Sequence, residues 1–310
     1  MRRYALTLFG LLALLLGGAL TVSWFGIDQC TLVDRNICGL YHYQAAKLAA
    51  APDQIDLLFL GDSSLGNGVD AKAMAARRGK TVLNLALSGG ALGLPSIETQ
   101  LREAVLRTRI ENLVVMVSPE LYRRHFSASA DGYVLANGGR PGAILTLPPK
   151  LALRAAVSLI SFLFDSGVQA DGIRTLRGGT RDLGDCTGCT GLDYVAQEPS
   201  GKLTGDDIKN WRGPFDDFDP FLARIAALCR QHAINCLYMH GPTIQAVLDL
   251  NPGYAAKINA KVEQAGLRLV SPEPFIIAPN DVGDSVNHVR PDLREAYSDK
   301  IYDLIAPLLR

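Results

Sequence analysis

Two adjacent serines, Ser63 and Ser64 in "LLFLGDSSLGNG" (57–68), close an apolar run at a Gly-Asp turn. Far along the chain, His288 lies in "GDSVNHVRPD", a polar loop ahead of the last helical stretch. A serine hydroxyl attacks an acyl carbon when a base takes its proton and backbone N–H groups hold the oxyanion that forms. His288 is the base this sequence offers, and Asp284 of the same loop can orient its ring, as a third group does in serine hydrolases. The oxyanion donors are read as the backbone N–H of Ser63 and that of Gly89 in "NLALSGGALG", where the missing side chain lets backbone approach the reacting oxygen. A second reading competes with this one: Asp62 with Ser63 or Ser64 simply caps the next helix. What favours chemistry is order, with the serine after the first strand, the Gly turn after the second and an acid-His pair before the final helix.

Those positions require a particular scaffold. "IDLLFLG" (55–61), "TVLNLALSG" (81–89) and "NLVVMVS" (112–118) are short apolar runs, the pattern of strands buried on both faces. Residues 70–79 and 95–109 between them have helical periodicity, which makes a βαβαβ unit and a parallel sheet. Residues 120–215 break the rhythm; they hold one apolar helical stretch (151–164) within Gly-, Pro- and Asp-rich sequence and read as an insertion. Order returns at Asp219-Pro220, a helix cap followed by a first-turn proline. A helix at 220–232, a strand at 234–241, a helix near 243–265, a strand at 267–272 and a closing helix at 291–309 follow. The fold class is therefore α/β, a three-layer αβα arrangement with a mostly parallel sheet of about five strands. Ligands of such sheets sit outside the carboxyl ends of the strands, where the loops after residues 60, 88, 118 and 241 should meet.

Residues 4–27 carry no charge and, as a helix, reach roughly 36 Å, enough for a hydrocarbon core of about 30 Å. Arg2 and Arg3 precede this stretch and the next basic residue is Arg35, so the positive-inside rule keeps the N-terminus cytoplasmic. The expectation is a single-pass anchor at 1–27 in the cytoplasmic membrane and an extracytoplasmic domain at 28–310, periplasmic in a Gram-negative cell. A cleaved signal peptide is the alternative, but no small-residue cleavage site ends the run. Six cysteines fall as local pairs, Cys30/Cys38, Cys186/Cys189 and Cys229/Cys236, which suits disulfides in an oxidising compartment. Cys229, His232 and Cys236 have spacing a metal could use, but no further ligand pair stands beside them, and no metal or cofactor is expected. The 31 basic residues are matched by 31 acidic ones, which gives nucleic acid no electrostatic footprint.

"FLGDSS", "NLALSGGALG" and the late "DSVNH" together resemble the SGNH (GDSL-type) hydrolase superfamily, three-layer αβα esterases and acyltransferases. The resemblance covers about 55–118 and 220–309. It implies Ser63 as nucleophile, Gly89 as an oxyanion donor and His288 as base. Two departures stand out. The superfamily's third block supplies an oxyanion asparagine, whereas here the third strand runs into "VSPELY", with Ser118 and Glu120. The usual acid lies three residues before the histidine, which is Ser285, so Asp284 takes the role, with Asp281 behind it. Anchored look-alikes that handle acyl groups on envelope polymers imply a saccharide or acyl-ester substrate and a membrane-bound acyltransferase as partner.

Lesser expectations complete the reading. His240 ends a strand at the same edge and either lines the pocket or is structural. Arg174 and Arg177, with Arg181, either meet an anionic polymer or are solvated; Trp211 and Tyr194 either stack on sugar rings or form local core. The resulting function is serine-dependent acyl transfer on an envelope saccharide, by transferase or esterase. The alternative is a catalytically inactive glycan-binding or scaffold protein, for which the absent asparagine argues.

Overall fold

A computed structural model describes residue 10 and residues 43–87, 93–123, 211–283 and 285–310 of the chain. Residues 4–27 other than residue 10, most of the expected insertion and the pairs Cys30/Cys38 and Cys186/Cys189 lie outside these. Among the described residues no helix is long and apolar enough to cross a membrane.

Five parallel strands form one sheet in the order β2-β1-β3-β4-β5: β1 Gln54–Gly61, β2 Val82–Asn84, β3 Arg109–Val117, β4 Asn235–His240 and β5 Arg268–Leu269. The apolar runs produce this arrangement because alternate residues of each inner strand face different helical layers. Leu58, Leu60, Leu113, Val115, Val117 and Tyr238 pack into one cluster with α1 (residues 43–49), α4 (Gly93–Arg107), α5 (Asp219–Gln231) and α7 (Tyr254–Ala265). Leu57, Phe59, Val114, Met116, Leu237 and Met239 pack into another. That second layer contains α2 (Ser63–Gly68), α3 (Ala71–Arg78) and α8 (Arg294–Ile305). The architecture is the expected α/β fold with a parallel five-stranded sheet between helices.

Element ends differ from the sequence reading for local reasons. The expected strand at 81–89 is formally three residues long, because the Asn84 side chain accepts the Ala86 N–H at 2.9 Å. The chain nonetheless continues along β1, with Leu85 N–H and Leu87 N–H donating to Phe59 and Gly61 carbonyls. The single helix expected near 243–265 is two, α6 (Gln245–Leu250) and α7, divided at Asn251-Pro252-Gly253, where Gly253 takes a left-handed φ of 73°. Asp219 does not cap α5: Phe218 occupies that position, and the Asp219 carboxylate pairs with Lys261 at 2.8 Å. The closing helix is flanked by 3-10 turns at Pro291–Leu293 and Ala306–Leu308. Cys229 and Cys236 form a disulfide that joins the end of α5 to the start of β4; their sulfurs are therefore not metal ligands.

In the order 2-1-3-4-5 the chain reverses direction across the sheet between β1 and β3, and the crevice of such a sheet opens at that point. At the crevice end of β1 stands Gly61, whose register partner is Met116. A Cβ on Gly61 would lie 1.8 Å from the Met116 carbonyl oxygen. Gly61→Ala must therefore part β1 from β3 at the crevice, and we expect a loss of about 3 kcal/mol or more in urea unfolding. A loss below about 1 kcal/mol would contradict this contact.

Candidate active site

The Gly-Asp-Ser-Ser turn both caps a helix and presents a hydroxyl. Asp62 is the N-cap of α2, its Oδ1 accepting from the Ser64 N–H at 2.9 Å and the Ser64 hydroxyl at 2.5 Å. Its Oδ2 accepts from the Ser118 N–H and the Ser118 hydroxyl, both at 2.9 Å. One buried carboxylate thus ties the end of β1 to the end of β3, and four donors replace the water it has lost. Gly241 closes the third side, since a Cβ there would lie 2.1 Å from Ser64 Oγ and 3.1 Å from the Ser118 nitrogen.

This network separates the two serines. Ser64 is fully buried and its only hydroxyl proton goes to Asp62. Ser63 is half-buried and its Oγ lies 2.9 Å from His288 Nε2, a contact between residues 225 positions apart. Asn67 steadies the turn by donating to the Ser63 carbonyl at 2.8 Å.

His288 reaches this point on a loop with its own support. Val282 and Val289 form an antiparallel bridge, the Gly283 N–H donates to the His288 carbonyl at 2.8 Å, and the His288 N–H donates to the Ser285 carbonyl at 3.0 Å. Val282, Val286 and Val289 pack with Val247, Ile277 and Tyr297 into a small apolar cluster beneath the loop. Of the acids considered for the triad, Asp284 lies outside the described residues. Asp281 accepts from the Tyr297 hydroxyl at 2.6 Å, so its carboxylate braces α8. Ser285 donates to the Asn287 side chain at 2.8 Å.

Gly89, Arg174, Arg177, Arg181 and Tyr194 also lie outside the described residues. Neither Ser118 nor Glu120, just after β3, replaces the absent asparagine: Ser118 directs both of its donors to Asp62, and Glu120 accepts from Arg123 at 2.8 Å. Trp211 is half-buried, its ring packed edge-on against Tyr254 with centroids 5.1 Å apart. Sequence reasoning anticipated Asp62 as a cap but missed its bond to Ser118, whose signal depends on the β1–β3 register.

His240 is placed at the expected strand end but is 1% exposed, on the face of the sheet that meets α7. Its Nε2 lies 2.7 Å from Asn259 Oδ1. Asn259 donates its amide N–H to the Pro272 carbonyl at 2.7 Å, which turns Oδ1 toward the imidazole and requires Nε2 to carry the proton. Burial then lowers the His240 pKa to about 4, against the bond to Asn259.

No protein-family model matches the sequence, and no curated protein matches it. Among solved structures, TesA is similar with a TM-score of 0.40 and 14% identity, over 82% of this chain and 99% of that one. A likeness of that degree carries no argument about activity, so what the site can do rests on its own geometry.

His240 gives a pH signature. Its folded-state pKa lies below the unfolded value of 6.5, so the unfolded chain binds the proton first as pH falls. The stability it contributes is complete above about pH 6.5 and is lost as the pH falls toward about 4, by on the order of 3 kcal/mol. Unfolding of the unmodified protein and of His240→Gln, compared between pH 7 and 4, should show a stability difference that changes by that amount. Parallel profiles would contradict the assignment.

Proposed function

We propose that this chain is a serine-dependent acyl-transfer enzyme of the SGNH type, acting on a cell-envelope or extracellular saccharide as an O-acyltransferase or an acyl esterase. The observation that carries the proposal is the 2.9 Å contact between Ser63 Oγ and His288 Nε2, at a turn where Ser64 is already held by Asp62. Ser63 Oγ attacks the acyl carbon while its proton passes to His288 Nε2. The backbone N–H of Ser63 and that of Gly89 hold the oxyanion, and Asp284 orients the imidazole. As the tetrahedral adduct collapses, His288 returns the proton to the departing alkoxide, leaving an acyl ester on Ser63. A saccharide hydroxyl or water then attacks that ester, giving its proton to His288, and Ser63 recovers its own when the product leaves.

The rest of the proposal follows the sequence. Residues 4–27 anchor the protein in the cytoplasmic membrane, with the domain in the periplasm or outside the cell. A membrane-bound acyltransferase supplies acyl groups, and Arg174 and Arg177 contact the polymer. The contrary reading is an inactive glycan-binding scaffold, and the fates of Ser118 and Glu120 favour it: removing one oxyanion donor costs roughly 3 to 4 kcal/mol.

The two readings separate on p-nitrophenyl acetate turnover by the full chain in detergent, with and without an oligosaccharide acceptor. We expect release of nitrophenol that falls at least about 1,000-fold in Ser63→Ala and His288→Ala, together with acetylated oligosaccharide if the enzyme is a transferase. Equal turnover by Ser63→Ala and the unmodified protein would overturn the proposal.

A further inference from the structure

The end of β2 is gripped in a way that the sheet alone does not require. Three successive carbonyl groups each accept a hydrogen bond from a side chain. Lys47 Nζ of α1 donates to Asn84 O at 2.5 Å, Gln100 Nε2 of α4 donates to Leu85 O at 2.9 Å, and Gln44 Nε2 of α1 donates to Ala86 O at 2.7 Å. Asn84 secures the same segment from within, accepting the Ala86 N–H and donating to the Val69 carbonyl at 3.0 Å.

Gln44 and Gln100 are 2% and 3% exposed, and each has an Oε1 that is buried without a partner among the described residues. Burying a glutamine removes rotamer freedom and desolvates an amide, so methionine or leucine would fill the same space with less penalty. What glutamine adds is direction: each amide points one carbonyl just past β2, Leu85 O or Ala86 O, toward its own helix. The gripped segment leads straight to the nucleophile, because Leu87 N–H donates to Gly61 O at 2.9 Å, two residues before Ser63.

We propose that Gln44 and Gln100, seconded by Lys47, are positioning residues that set the exit of β2 against the Ser63 turn. They thereby hold residues 84–87 in place against Gly61, to which the Leu87 N–H donates at 2.9 Å, and so against the turn that carries the Ser63 N–H. The inference rests on the reading of Ser63 as nucleophile. Both glutamines act through backbone, at Leu85 O and Ala86 O. Oxyanion stabilisation depends on donors placed before the reaction begins, and a displacement of about 1 Å can cost on the order of 100-fold in rate.

The test compares kcat, KM and the melting temperature of the full chain with those of Gln44→Met and Gln100→Met, using p-nitrophenyl acetate. A positioning role predicts that kcat falls roughly 10- to 100-fold while KM stays within about threefold, well below the melting transition. Gln100→Leu, which also has no donor for Leu85 O, should lose as much as the methionine variant. A structural role alone would lower the melting temperature and leave kcat within about twofold, which would overturn the proposal. The two methionine variants act from different helices, so if one does not fold the other decides. Failure of the Ser63 reading itself is distinct: the unmodified protein would then turn over no faster than Ser63→Ala.

Discussion

The arrangement depends on one buried carboxylate. Asp62 has left water and is compensated by four hydrogen bonds, two from Ser64 and two from Ser118. A carboxylate in that setting is costly unless every bond is made, so β1, the first turn of α2 and the end of β3 must come to one place together. Gly61 and Gly241 make the approach possible, since a side chain at either position would collide with backbone or with Ser64. Ser64 is drawn inward by the same bonds. Ser63, one residue earlier, is left facing the crevice.

The partner of Ser63 comes from the other end of the chain. β1 and β3 flank the point where the sheet reverses its winding, and the loop bearing His288 closes over that point. Its placement is fixed by packing and pairing rather than by sequence proximity. The Val282–Val289 bridge, the apolar cluster around Val247 and Ile277, and the bond from Tyr297 to Asp281 hold it against α8. α8 in turn anchors the segment after α2, with Arg294 donating to Val69 O at 2.8 Å and Ser298 accepting the Asp70 N–H at 2.7 Å. The serine turn and the histidine loop thus share one supporting helix.

How much of this was legible in the sequence follows from what each residue senses. β1, β3 and β4 were readable because strands buried on both faces are nearly continuous apolar runs. β2 and β5 are edge strands with one neighbour, and Asn84 competes for its own backbone, so their ends were not. The break at Asn251-Pro252-Gly253 had a signal in its proline and glycine that helical periodicity on either side obscured. The meeting of Ser63 with His288 was legible through their order relative to the strands. The bonds of Ser118 to Asp62, the burial of His240 against Asn259 and the grip of Gln44 and Gln100 on β2 were not, because each depends on register or on a helix packed from elsewhere. A glutamine on an amphipathic helix reads as solvated until the neighbouring strand is in place.

The central claim is that the turn divides its serines, Ser64 to structure and Ser63 to chemistry. Treating the full chain with a fluorophosphonate and locating the adduct by peptide mass spectrometry tests this most directly. The account predicts a single adduct on Ser63 that is lost in His288→Ala. An adduct on Ser64, or none on the folded protein, would contradict it.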